Sequence, residues 1–169
     1  TLLAQFTDIH GVAKGKLVPL THFDELLTDG AGFAGPSIPG TGLPRTGPRA
    51  EYYARGNAST ATALPWMPGV ARIVCDGFVD DQPFDACPRQ VLKRAIADAA
   101  REGYDMKTGV ECEYFLITPD GSAISDGADT QSKPCYDQQA LMRRYETITE
   151  ICDCMIALGW GPYQNDHED

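Results

Sequence analysis

The fold of this chain depends on one segment, Gly109-Val110-Glu111-Cys112-Glu113-Tyr114-Phe115-Leu116-Ile117-Thr118. The segment alternates in the manner of a β-strand, in which successive side chains point to opposite faces. Glu111 and Glu113 then share one face with Phe115 and Ile117, and the other face carries Val110, Cys112, Tyr114 and Leu116. The sequence therefore predicts a largely apolar strand that presents two neighbouring carboxylates.

These two carboxylates need a partner if their face is enclosed. Like charges side by side on a strand repel each other and lose hydration. A divalent cation removes both costs, and hard oxygen ligands select Mg²⁺ or Mn²⁺, ions that commonly clamp phosphate groups. A solvated strand edge or a salt-bridged pair is the alternative for an isolated Glu-x-Glu motif.

The last seven residues, Tyr163-Gln164-Asn165-Asp166-His167-Glu168-Asp169, are dense in metal-ligand types. A solvated acidic tail is one interpretation of this composition. The other is a second strand with Gln164, Asp166 and Glu168 on one face, which would bring Glu168 beside Glu111 and Glu113.

Composition limits the class of protein. The chain has 169 residues, 43% of them hydrophobic, with Lys+Arg 14 against Asp+Glu 24 and a net charge of −10. It is long enough to bury a core, and its acidity argues against a nucleic-acid partner. No apolar run is long enough for a membrane span, and no signal peptide is visible. The missing Met at position 1 and the abrupt end suggest part of a longer chain.

Six cysteines match neither a paired zinc motif nor a disulfide framework. Cys112 in the apolar strand face and Cys152 in a helical stripe are expected to be small buried hydrophobes. A reduced, cytoplasmic compartment fits this usage.

The first half of the chain predicts a small domain. Residues 2–9 and 16–18 indicate a β-hairpin, residues 21–27 a short helix, and residues 30–47, rich in Gly and Pro, a long loop. Residues 51–63 are polar and poorly periodic, and residues 70–76 indicate a strand. The domain boundary is expected near residue 86.

The second half predicts two long helices. The first of these helices is expected to begin at Pro88, since proline suits the first helical turn, and to end at Gly103. Asp137 is expected to cap the other, whose apolar stripe leads to a stop at Gly159; the stripe consists of Leu141, Tyr145, Ile148, Cys152 and Met155.

Several motifs in order resemble the N-terminal part of a glutamine synthetase, nearest to the type III group that also contains γ-glutamylmethylamide synthetases. The matching segments are Phe6-Thr7-Asp8-Ile9-His10-Gly11, Lys14-Gly15-Lys16-Leu17-Val18-Pro19, Gly32-Phe33-Ala34-Gly35, Leu64-Pro65-Trp66-Met67-Pro68-Gly69-Val70-Ala71-Arg72, Cys87-Pro88-Arg89, Gly109 to Leu116, and Gly159 to Asp169. Their order and spacing over nearly the whole chain are what make the resemblance specific.

The resemblance implies an α+β fold. Residues 1–86 would form an N-terminal β-grasp domain, and residues 87–169 would begin a catalytic domain with an antiparallel sheet and flanking helices. It also implies a homo-oligomer of two stacked hexameric rings, a dodecamer, with active sites between subunits.

The resemblance also implies roles for residues. Glu111, Glu113 and Glu168 match metal ligands for two Mg²⁺ or Mn²⁺ ions, while Gly109 and Tyr163 match positions that approach ATP. Ser37 and Trp66 match residues near the inter-subunit active site, although local backbone bonding by Ser37 and simple packing of Trp66 are equally ordinary. The implied reaction joins the γ-carboxylate of glutamate to ammonia through γ-glutamyl phosphate.

One departure leaves the acceptor open. Ala34 stands where the family carries a loop aspartate that helps to bind and deprotonate ammonium, and a methyl group cannot accept a proton. A small alkylamine such as methylamine, as in γ-glutamylmethylamide synthetase, or a polyamine or aniline is the alternative acceptor. A non-catalytic, glutamine synthetase-like binding protein is the second alternative.

Overall fold

A computed structural model describes residues 1–168. Its contacts divide the chain into one compact unit of residues 1–107 and another from residue 108 onward. Among residues 1–168, every helix is too short or too polar to cross a membrane.

The first unit is built on a mixed sheet. Its strands are β1 Leu2–Thr7, β2 Ala13–Val18, β3 Ala31–Ala34, β4 Glu51–Gly56, β5 Thr62–Ala63, β6 Ala71–Val79 and β7 Gln82–Pro83. The main path runs β2-β1-β6-β4-β3, and β5 and β7 also pair with β6. β1 pairs with β6 in parallel and with β2 in antiparallel fashion, which confirms the predicted hairpin.

Buried and more exposed side chains alternate along the strands β1, β4 and β6, and the buried ones form the core. Phe6 of β1, Tyr52 of β4 and Ile73 and Cys75 of β6 are all buried. The Phe6 ring lies 4.9 Å from the Tyr52 ring and 5.0 Å from the Phe33 ring, measured between centroids. Burial raises the pKa of the Cys75 thiol to about 12, so this cysteine acts as a small apolar side chain.

Two helices accompany this sheet. The short helix α1 spans Phe23–Thr28, as predicted, and Gly30 follows it with φ +84. The helix α2 spans Pro88–Arg101, with proline in its first turn, and Gly103 follows with φ +83. Arg89 and Lys93 of α2 both pair with Asp76 of β6, which fastens the helix to the sheet.

Two strands lie where the sequence predicts irregular structure. β3 falls within the expected loop of residues 30–47, and β4 falls within the polar stretch of residues 51–63. Their alternation is hidden because only Tyr52 and Ala54 of β4 are fully buried and β3 is four residues long. Both segments become strands because they pair with neighbouring strands from distant parts of the chain.

The second unit contains two consecutive helices instead of the single one predicted. The helix α3 spans Gln138–Arg143 and the helix α4 spans Tyr145–Ala157. Arg144 between them has φ −115 and ψ 12, outside the helical region, which interrupts the bonding pattern. Asp137 caps α3 as predicted, accepting a 3.0 Å hydrogen bond from the N–H of Gln139. Gly159, with φ +74, follows the end of α4.

The predicted strand over residues 109–118 is absent from the described chain. Residues 108–116 have no strand pairing, and Ile117 forms one isolated antiparallel bridge with Ile124. Residues 161–168, expected to hold a second strand, are also irregular. A strand requires a continuous run of backbone partners, and within residues 1–168 each of these two segments has only isolated backbone contacts. The expectation that Cys112 is buried is wrong, since its side chain is exposed. That expectation depended on the strand that does not form.

Candidate metal centre

Three glutamates converge in the second unit. Glu111, Glu113 and Glu168 each offer a carboxylate oxygen, and these oxygens all lie within 4.8 Å of one another. All three residues are exposed to solvent. The two segments that the sequence singles out therefore meet, although neither forms a strand within residues 1–168.

A short turn holds the end of the segment that carries Glu111 and Glu113. The N–H of Ser125 donates to the carbonyl of Leu116 at 2.8 Å, and the N–H of Thr118 donates to the carbonyl of Ala123 at 2.9 Å. Asp120 closes the turn by accepting hydrogen bonds from Thr118 and from Ser122, and the bond from the Thr118 hydroxyl lowers the pKa of this carboxyl. The segment is thus fixed at one end without a sheet.

The segment that carries Glu168 is tied down at three points. The N–H of Tyr136 donates to the carbonyl of His167 at 2.7 Å. The His167 ring contacts the carbonyl of Pro134 and the carboxylate of Asp129. Asn165 donates from Nδ2 to the Sγ atom of Cys152 on α4 at 3.0 Å. His167, which makes two of these contacts, directly precedes Glu168. The contacts therefore fix the backbone position at which Glu168 begins.

The donor set suits a hard divalent cation. Three carboxylates within 4.8 Å of one another repel each other unless a cation or water separates them. Oxygen-only ligands select Mg²⁺, Mn²⁺ or Ca²⁺ over softer metals, and solvent exposure leaves room for water and phosphate oxygens as further ligands. The residues present therefore fit the metal that the sequence predicts.

The other predicted site residues are not part of this cluster. Gly109 lies in the irregular segment just before Glu111, and Tyr163 is 95% exposed. Ser37 and Trp66 belong to the first unit: Ser37 is exposed at the end of a single 3-10 turn, and Trp66 is 53% exposed.

The sequence gives no clear signal for two residues that support the cluster. Asp129 lies in the polar, Gly-rich stretch of residues 119–133, and His167 is only one member of an acidic run. Their side chains are 16% and 20% exposed and meet at 2.8 Å. A histidine directly before a predicted ligand is the one signal available, but its partner is distant in sequence.

The sequence profile described as "Glutamine synthetase, catalytic domain" matches residues 85–169, half of the chain. The chain belongs to the glutamine synthetase family. Enzymes of glutamine synthetase type use ATP and divalent metal ions with glutamate and ammonia or an amine.

Curated relatives extend the match over almost the whole chain. A glutamine synthetase of Rhizobium leguminosarum bv. phaseoli is 52% identical over 99% of this chain and 38% of its own length. A glutamate--methylamine ligase of Methyloversatilis universalis is 42% identical over 99% of this chain and 38% of its own length. The chain therefore spans about two fifths of the length of these relatives.

Solved structures of glutamine synthetase type share the fold. A GmaS/ADP complex superposes with a TM-score of 0.91 and 49% identity, covering 99% of this chain and 38% of that one. A more distant structure, described as a novel glutamine synthase homolog, gives a TM-score of 0.66 at 15% identity and shares the fold alone. The fold of this chain is thus that of the corresponding part of larger relatives.

Proposed function

We propose that the full-length protein is an ATP-dependent carbon–nitrogen ligase that joins the γ-carboxylate of glutamate to ammonia or a small amine. The observation that carries this proposal is the meeting of Glu111, Glu113 and Glu168 in a chain of the glutamine synthetase family. Relatives named glutamine synthetase and glutamate--methylamine ligase support the reaction class.

In this proposal the three glutamates hold two divalent ions, Mg²⁺ or Mn²⁺. Glu111 and Glu113 each serve a different ion, and Glu168 completes the set from the other segment. The bound ions would neutralise the phosphates of ATP and stabilise charge that spreads over the transferred group. With that charge neutralised, the γ-carboxylate of glutamate would attack the γ-phosphorus of ATP and release ADP, which gives γ-glutamyl phosphate. The amine would then attack the γ-carbonyl carbon, displace inorganic phosphate and lose a proton to form the amide.

The remaining assignments complete the proposed site. Gly109 approaches the nucleotide with its backbone and Tyr163 contacts ATP. Ser37 and Trp66 line an active site between subunits of a dodecamer. The exposure of Ser37, Trp66 and Tyr163 is compatible with these roles, because each side chain is accessible to a ligand or a neighbouring subunit.

Two further proposals concern the fold and its compartment. Residues 1–86 form a β-grasp domain and residues 87–169 begin the catalytic domain. The hairpin, the following helix and the mixed sheet with β1 parallel to β6 support the first assignment. Cys75, Cys87, Cys112, Cys152 and Cys154 are free thiols, which supports a reducing, cytoplasmic compartment.

Methylamine is the second candidate acceptor. Ala34 ends β3 with an exposed side chain, at the position where the family carries an acidic residue in its ammonium site. Without that carboxylate, nothing at this position favours the compact ammonium ion over its methylated form. The similarity to a glutamate--methylamine ligase over 99% of the chain supports the same interpretation.

An acceptor screen of the full-length protein tests the proposal. ATP, glutamate and Mg²⁺ are supplied with ammonium, methylamine, a polyamine or aniline, and both phosphate and the γ-glutamyl amide are measured. We expect phosphate release that depends on ammonium or methylamine and equals amide formation. Release only with a polyamine or aniline would favour the other ligases, and no release with any amine would favour the binding protein.

A further inference from the structure

The ring of His167 is held between two oxygen acceptors. Its Nδ1 atom lies 3.0 Å from the carbonyl oxygen of Pro134, and its Nε2 atom lies 2.8 Å from Oδ2 of Asp129. A carbonyl oxygen only accepts, so Nδ1 carries a proton and donates to Pro134. Contacts at both nitrogens fix the ring plane as well as its position.

Asp129 is itself braced from a helix. Asp126 accepts a 2.7 Å hydrogen bond from Nε of Arg143 on α3, and its carbonyl accepts the N–H of Asp129 at 3.0 Å. The hydrogen bond from Arg143 favours the charged form of Asp126 and lowers the pKa of this carboxyl. A continuous series of contacts therefore leads from α3 to the His167 ring.

The arrangement around Asp129 is costly for a purely structural contact. Its Oδ1 atom is buried and has no hydrogen-bond partner within residues 1–168. Burying a carboxylate oxygen without a partner costs free energy, and such exceptions call for an explanation in function or in unseen solvent. The other oxygen of the Asp129 side chain, Oδ2, contacts the His167 ring.

We propose that His167 is a positioning residue for the metal centre, and that Asp129 acts through it. The inference rests on the proposed function, since it assumes that Glu168 binds a cation. The ring contacts and the 2.7 Å bond from Tyr136 to the His167 carbonyl fix the backbone from which Glu168 extends. In this proposal these contacts keep the Glu168 carboxylate within 4.8 Å of those of Glu111 and Glu113 before a metal ion binds.

Direct Mn²⁺ binding to the metal-free, full-length protein tests this role. The dissociation constant is measured by calorimetry and by the electron paramagnetic resonance signal of free Mn²⁺. The variants are His167→Ala, His167→Asn, His167→Gln and Asp129→Asn. His22→Ala is the matched control, because His22 is an exposed histidine of the first unit that pairs with Glu25 at 3.4 Å.

We expect His167→Ala to weaken Mn²⁺ binding about 10- to 100-fold, the usual effect of losing a group that orients a metal ligand. Asparagine places an amide N–H near Nδ1 and glutamine places one near Nε2, so each retains one of the two contacts and restores part of the affinity. Asp129→Asn is expected to weaken binding, and His22→Ala to leave it unchanged. Thermal unfolding shows which variants are folded.

Two failures are distinguishable. Mn²⁺ binding is also measured for Glu113→Ala with His167 intact. Binding as tight in that variant as in the parent protein would refute the proposed function. Glu113-dependent binding that is equally tight in the folded His167 variants would overturn the positioning role alone. If no His167 variant and no Asp129 variant folds, the pair serves the fold and the proposal is also wrong.

Discussion

A carboxylate oxygen of Glu168 lies within 4.8 Å of a carboxylate oxygen of Glu111, although within residues 1–168 no sheet joins their two segments. Glu113 completes the same cluster. Hydrogen bonds fix each of the two segments locally. A turn closed by Asp120 fixes the segment of Glu111 and Glu113, and the contacts of His167 fix the segment of Glu168. The proposed metal site therefore lies on loops that are fixed at a few points.

Loss of one proposed metal ligand is expected to weaken catalysis severely. Glu113→Ala in the full-length protein should remove several kcal/mol of transition-state stabilisation, on the order of a 10³-fold loss in kcat/KM, because one ion loses its ligand. The fold should be unchanged, since Glu113 is exposed. Steady-state amide formation at saturating Mg²⁺ measures the effect.

The control for this variant is Glu150→Ala, which removes an exposed glutamate of α4 outside the cluster. It should retain parental activity. Near-normal turnover by Glu113→Ala would exclude this residue as a metal ligand.

Acceptor choice is expected to respond to position 34. Ala34→Asp restores a carboxylate beside the proposed amine site, so the ratio of kcat/KM for ammonium to that for methylamine should rise at least about tenfold, which is about 1.4 kcal/mol. Ala34→Asn has a similar size without the charge and should shift the ratio much less. An unchanged ratio in both variants would show that this position does not select the acceptor.

Local signals in the sequence predict most of the first unit. The hairpin of β1 and β2, helix α1, strand β6 and helix α2 follow from alternation, turn residues and a proline in the first helical turn. β3 and β4 are not predictable in this way, because their short or half-buried segments become strands only by pairing with β6 and with each other.

The candidate site is predictable in its ligands and not in its support. Charge density points to Glu111, Glu113 and Glu168, and the structure brings their carboxylates together. The strands expected to carry them do not form within residues 1–168, since backbone pairing needs partners that alternation cannot reveal. Asp129 and His167 meet across a long separation in the chain, which no local pattern records.

The stability of the first unit is expected to depend on pH through Asp8. Burial alone would raise the pKa of this carboxyl, but hydrogen bonds from the N–H groups of His10 and Val12, with Lys14 at 3.4 Å, outweigh burial and lower it. A lowered folded-state pKa contributes stability above the unfolded pKa of about 3.9 and loses it as the pH falls through the folded value.

Asp8→Asn should therefore lower the free energy of unfolding at pH 7, and its difference from the parent should shrink below about pH 4. Urea unfolding at several pH values measures this. Asp153→Asn, on an exposed residue of α4, is the control. A difference that stays constant from pH 7 to pH 3 would mean that the charge of Asp8 is not what stabilises the turn.

Gly77 of β6 is expected to tolerate no side chain. A Cβ atom there would overlap the phenol ring of the buried Tyr52. Gly77→Ala should destabilise the protein by about 1–3 kcal/mol, the usual cost of overpacking a core. Gly32→Ala is the control, since its nearest atom would be 3.5 Å away and its change should stay within about 0.5 kcal/mol. Equal effects in urea unfolding would refute the packing argument.

The most direct test of the metal centre is anomalous diffraction from crystals of the full-length protein grown with Mn²⁺. Our account predicts anomalous peaks at bonding distance, about 2.1–2.2 Å, from carboxylate oxygens of Glu111, Glu113 and Glu168. Crystals with Mn²⁺ bound elsewhere, and with no anomalous density among these three carboxylates, would contradict it.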